Sequence, residues 1–121
     1  MDKWQALHNF WSGFSIPAYD ENSVPDDAVM PYITYTAVTS RFEDVVLLSA
    51  SIWYYSTSWA DISNKADEIA EALSPYILIP IEDSQYLFMT QGAPFAQRMR
   101  DENSNVKRIY INVTGEYFAR K

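Results

Sequence analysis

With one histidine, no cysteine and three scattered glycines, this 121-residue chain has little with which to do covalent or metal chemistry. Cysteine nucleophiles, thiolate zinc sites and disulfides are excluded by composition, and the compartment is left open. A metal centre needs several converging His, Cys, Asp or Glu ligands, so His8 alone on a short helix reads as an ordinary solvated or partly buried side chain. A hydrolytic triad would have to use His8, and no Gly-x-Ser-x-Gly elbow accompanies it. Glycine-rich phosphate loops are likewise absent from the sequence. The adjacent carboxylates Asp20/Glu21, Asp26/Asp27 and Glu82/Asp83 are the remaining acid/base candidates, but each falls in a polar turn where solvation explains it. Asn112-Val-Thr114 matches a glycosylation acceptor inside a predicted strand, with no secretion signal to give it meaning. These residues imply no catalytic constellation and no cofactor; the expectation is a protein that is not an enzyme.

Trp, Tyr and Arg are the residues that dominate binding interfaces, and they gather in two places. One is the stretch Trp53, Tyr54, Tyr55 and Trp59; the other is the C-terminal part, with Arg98, Arg100, Arg108 and Tyr110. Strand alternation sends Tyr54 to the same side as Val46, Leu48, Ala50 and Ile52, so Tyr54 and Trp59 are expected to fill the core. Trp53 and Tyr55 then point the other way, with Val45, Leu47, Ser49 and Ser51. That second face is apolar at both ends, which a sheet with one solvated side should not show; helices or another chain must cover it. The candidate subunit-interface residues are therefore Trp53, Tyr55, Tyr110, Arg98, Arg100 and Arg108.

Between these clusters lies a change of period. Apolar residues alternate up to Tyr55, and from Trp59 they recur at Ile62, Ala66, Ile69, Ala70 and Leu73, one face of a helix that Pro75 stops. Ser58 is the expected cap, with Asp61 three residues on, and Asp61 and Lys65 are spaced for an ion pair. Upstream, Trp4, Leu7, Phe10, Trp11 and Phe14 form the stripe of a first helix over 2–14, ending near Gly13. Residues 15–31 hold Pro17, Pro25 and Pro31 among acids and read as an extended loop. Strands are predicted over 32–40 and 45–56, joined by a turn at Arg41, Phe42, Glu43 and Asp44, then over 77–81 and 86–90 with Pro80 confining the first to an edge. Residues 91–105 read as a projecting loop, and 106–118 as a long, central last strand.

The order α-β-β-α-β-β-β implies a single α+β domain over 1–121, an antiparallel sheet of about four to five strands with two helices packed on one face. A 48% hydrophobic composition supports one core at this length. No apolar run has bilayer-spanning length and the start Met1-Asp2-Lys3-Trp4 lacks a signal-peptide pattern, so a soluble intracellular protein without membrane partners is expected. The formal charge of −7 opposes general nucleic-acid binding. It is uneven: residues 1–97 carry thirteen acids and three bases, residues 98–121 three acids and six bases. The basic part is either a solvated face or a surface that meets the acidic part of a neighbouring copy.

Ala18-Tyr19, Val24-Pro25, Pro31-Tyr-Ile-Thr-Tyr35, Ser51-Ile-Trp53, Ser56-Thr-Ser-Trp-Ala-Asp61, Lys65-Ala-Asp67, Gly92-Ala-Pro-Phe95 and Lys107-Arg-Ile-Tyr-Ile-Asn112 together resemble the tail terminator (neck, or tail completion) proteins of long-tailed bacteriophages. The likeness covers nearly the whole chain. It implies a virion protein, assembled in the host cytoplasm, that forms a ring of six copies on the head-proximal end of the tail tube. Such a ring ends tube growth and joins the tail to the head connector, so its partners are itself, the tube protein and the connector, with DNA only in passage. The alternatives are another neck or head-completion protein of the same particle, or a small monomeric module using its aromatic patch on carbohydrate or peptide.

Overall fold

The computed structural model describes residues 1–39, 41, 44–82 and 84–119. Helix α1, Lys3–Trp11, opens on a capping box: Asp2 accepts from the Gln5 amide at 2.9 Å, and the Gln5 side chain accepts from the Asp2 amide at 3.1 Å. A 3-10 turn, Ser12–Phe14, completes the predicted 2–14 segment. Its buried stripe is Ala6, Leu7, Phe10, Trp11 and Phe14. This stripe centres between Leu7 and Phe10, which leaves Trp4 at its margin and 54% exposed, contrary to the expectation that Trp4 is buried.

The sheet holds six strands, and it is mixed rather than antiparallel. The strands are β1 (Ala18–Asp20), β2 (Tyr32–Tyr35), β3 (Val45–Tyr55), β4 (Ile77–Pro80), β5 (Gln85–Met99) and β6 (Val106–Ala119), in the order β1-β2-β3-β6-β5-β4. Two features of the sequence hid this. Strand β1 is three residues long, inside the segment read as a loop, and pairs parallel to β2 through Ala18 with Ile33 and Asp20 with Tyr35; so short a strand carries no period. The predicted loop over 91–105 is for the most part the second half of β5. A large bulge between Gln91 and Ala96 breaks its alternation before pairing with β6 resumes. At the bulge the Asn112 side chain donates to the Pro94 carbonyl at 3.0 Å. A Cβ on Gly92 would stand 2.8 Å from Asn112 Cβ and 2.9 Å from its carbonyl oxygen, so only glycine fits there.

The remaining strands follow their patterns. Strands β3 and β6 pair over their full overlap, from Val45 opposite Glu116 to Tyr55 opposite Val106. Strand β4 lies at an edge, where its terminal Pro80 is tolerated. The first of the two predicted hairpin turns includes Phe42 and Glu43, and Ser40 ends the predicted strand over 32–40; these three, with Asp83, Arg120 and Lys121, lie outside the described residues.

Helix α2, Ala60–Ala72, buries Ile62, Ala66 and Ile69, with Leu73 after it. The residue in cap position is Trp59, which makes no side-chain cap bond, while the Ser58 hydroxyl accepts from the Ala60 amide at 3.0 Å. Lys65 pairs with Glu68 at 3.1 Å rather than with Asp61, because its ammonium is drawn to the Phe14 carbonyl at 2.6 Å, tying α2 to the end of the first helical segment. Both helices pack on the sheet face that presents Ile33, Leu48, Ile52, Leu87, Met89, Ile111 and Tyr117.

Tyr117 has no exposed surface, and its hydroxyl donates to the Val38 carbonyl at 3.4 Å. Burial pushes its pKa up to about 12 from 10.0. A group whose pKa is raised on folding contributes stability that is intact below the unfolded value and is lost as pH climbs through the folded one. Stability should therefore fall between about pH 10 and 12, by at most about 3 kcal/mol from this group. Burial also raises the pKa of Tyr35, with Asp20 adding, and of Tyr54, with Asp61 and Glu68 adding, so both steepen the same limb. Urea titrations of the parent and of Tyr117→Phe across this range measure the difference: the phenylalanine variant should lose less on the alkaline side.

Candidate functional site: the open sheet face

Among the described residues, nothing in the first group of candidates converges. Among the described residues no cluster of three or more His, Cys, Asp and Glu could hold a metal, and no helix is long and apolar enough to cross a membrane. His8 is exposed and fixed locally, with Nδ1 at 3.1 Å from the Tyr35 hydroxyl and Nε2 at 3.2 Å from the Ser12 hydroxyl. Asp20 accepts from the Asn22 amide at 2.9 Å, a turn bond, and Asp26 and Asp27 are exposed. A cleft of about 180 Å³ between α2 and β5, lined by Ser63, Ala66, Asp67 and Arg98, is small beside ordinary ligand pockets.

The other side of the sheet is different. Its strand positions are Tyr19, Tyr32, Thr34, Val45, Leu47, Ser49, Ser51, Trp53, Tyr55 and the even-numbered residues of β6 from Arg108 to Phe118, continued on β5 and β4 by Tyr86, Phe88 and Leu78. No helix of the described residues covers it. At one end, ring contacts run across four strands. Tyr19 packs edge-on to Tyr32 at 5.7 Å, Tyr32 lies 6.5 Å from Trp53, and the Arg108 guanidinium stands 4.8 Å over the Trp53 ring. The Trp53 indole donates to the Thr34 hydroxyl at 2.9 Å, and Arg108 Nε donates to the Ser51 hydroxyl at 3.0 Å. Tyr110 sits next along β6, opposite Ser51, and Tyr55 closes this end with 62% exposure.

At the other end the face is aliphatic and more open. Leu47 is 74% exposed and Val45 66%. Across the neighbouring strands lie a stacked Tyr86–Phe118 pair at 5.4 Å and a Tyr76–Phe88 pair at 5.2 Å, with exposed Leu78 beside them. The sequence placed Val45 and Leu47 on this face, but the strand order that brings Phe88, Phe118 and Leu78 alongside them was not available from it.

The structure brings Trp53, Tyr55, Tyr110 and Arg108 together on the open face. It does not bring Arg98 there. Past the bulge Arg98 is opposite Ile109, a helix-facing position, and its guanidinium lies 4.9 Å over Trp59, with Nη2 3.4 Å from the Ser63 hydroxyl. Lys107 shares that ring, at 5.4 Å. Arg100 is exposed just beyond the end of β5. Tyr54 and Trp59 are partly buried against the core, on the expected side.

No protein family matches this chain, and no curated protein does. Among solved structures, a chain from the virion of a native gene transfer agent (GTA) particle has the same fold. The TM-score is 0.63 over 96% of this chain and 94% of that one, with 14% of residues identical.

Proposed function

We propose that this chain is a structural subunit of a phage-type particle, a tail terminator: a ring of identical copies, six in number, at the head-proximal end of the tail tube. It ends tube polymerisation and offers the surface on which the head connector docks. The observation that carries this reading is the open sheet face, where Leu47 is 74% and Val45 66% exposed and no helix of the described residues covers the aromatic pairs of the neighbouring strands; a subunit built for assembly has a reason to keep such a face, and a monomer does not. A fold shared with a chain of a virion particle supports it. The formal charge of −7 suits a channel through which DNA passes without adsorbing. Binding, rather than catalysis, is its role, with no cofactor.

The carbohydrate-module reading is weakened by Arg108, whose guanidinium, 4.8 Å over the Trp53 ring, occupies the surface on which a sugar would stack. Electron micrographs of particles made without this protein test the proposal. Tails of uncontrolled length are expected. Tails of normal length that fail to join heads would indicate a neck protein instead, and normal joined particles would reject a role in the tail altogether.

A further inference from the structure

The strand positions of the open face carry one base and one acid among the described residues, Arg108 and Glu116, at opposite ends of β6. About 26 Å of extended chain separates them. Arg108 uses Nε on Ser51, and among the described residues its two terminal nitrogens make no hydrogen bond, while half-buried Glu116 makes neither hydrogen bond nor ion pair. Each sits in register with an apolar neighbour on β3: Val45 is opposite Glu116 and Trp53 is opposite Arg108.

We propose that, away from any particle, two copies of this chain close their open faces on each other with strands reversed, Glu116 of each copy meeting Arg108 of the other. The two-fold axis crosses the strands at the level of Ser49 and Asn112, which are themselves partners in the ladder. About that axis, the two charged rows exchange partners and the Ser49–Asn112 row meets its own copy. The Val45–Glu116 row lies on the partner's Trp53–Arg108 row, apolar on aromatic and acid on base. The Leu47–Thr114 row lies on the row of Ser51 and Tyr110. Two sheets packed in this way form an ordinary sandwich, about 10 Å between faces and about 30° between strand directions. The self-complementary contact is what an isologous dimer requires.

Charge permits contact at this face. Two copies that each carry −7 repel over most of their surface. The open face, with one charge of each sign, is where they can approach without that cost. The pairing concerns the free chain and does not rest on the ring reading.

Sedimentation of the purified chain, with single and double charge reversals, tests the pairing. The parent should sediment as a dimer. Arg108→Glu alone and Glu116→Arg alone should each weaken association by about a hundredfold or more, since each sets two like pairs in place of two opposite ones. An equimolar mixture of the two single variants should dimerise again, because every contact in the mixed pair is opposite in sign, and R108E/E116R should dimerise by itself. Should Arg108→Glu fail to fold, Ser49→Cys supplies a second measurement. The introduced thiol would be the sole one of the chain, facing its own copy across the axis, and a short bismaleimide should link it into dimers. A monomeric or hexameric parent, dimers indifferent to the reversals, or a Ser49→Cys variant that does not cross-link would overturn the pairing. A hexamer would overturn it while leaving the ring reading intact.

Discussion

Replacing Trp11 with alanine should destabilise the chain by about 3–5 kcal/mol, a large part of the roughly 5–15 kcal/mol that typically holds a domain folded. Trp11 has no exposed surface and is the largest fully buried side chain. It packs edge-on to Phe10 at 4.8 Å, and Phe10 in turn packs edge-on to Phe14 at 5.3 Å, so the ring fixes the helix and the 3-10 turn that follows. Truncation removes both the transfer energy and the packing around it, leaving a cavity that a segment anchored just beyond it by the Lys65–Phe14 bond cannot easily collapse. The indole Nε1 is buried with no hydrogen-bond partner among the described residues, which itself costs free energy. Trp11→Phe should consequently lose much less than Trp11→Ala, because it gives up volume but also removes an unpaired donor. Urea unfolding of the three proteins measures the order. A Trp11→Ala variant as stable as the parent would mean that α1 is not part of the cooperative core.

What could be read from the sequence was whatever had a period long enough to register. The alternation through Val45–Tyr55 and Val106–Ala119 marked two long strands and their facing, and the helical face from Ile62 to Leu73 marked α2. Strand β1 failed this test because three residues after Pro17 cannot show alternation and its parallel pairing has no local turn to announce it. The far half of β5 failed for another reason. The bulge holding Gly92 and Pro94 shifts the pairing, so the residues beyond it appear unpatterned although they pair with β6 as far as Met99. That same shift sends Arg98 to the helix side, whereas Arg108, on a strand without interruption, went where parity put it. At the candidate surface, Trp53 and Tyr55 were legible from parity alone. The patch made by Leu47, Phe88 and Phe118 was not, since it depends on β6 lying between β3 and β5, which is topology rather than pattern.

Leu47→Asp should weaken association through the open face by about a hundredfold or more while leaving the fold nearly untouched. At 74% exposure the leucine contributes little to the core, so the cost to folding is that of a poor strand former at an exposed site, within about 1 kcal/mol. Docking is another matter. Any partner covering this face must bury residue 47, and an unpaired carboxylate taken out of water there costs several kcal/mol. About 3 kcal/mol corresponds to a hundredfold or more in affinity. Trp53 is the poorer probe of the same surface. Its indole is held by Thr34 at 2.9 Å and its ring by Tyr32 and Arg108, so Trp53→Ala disturbs the fold and the face together. Sedimentation beside a urea melt separates the two effects for Leu47→Asp: the expected result is a lighter species with an almost unchanged midpoint. A variant that assembles as the parent does would show that the aliphatic end of the face stays in solvent, and the contact would then have to be sought at the Trp53 end alone.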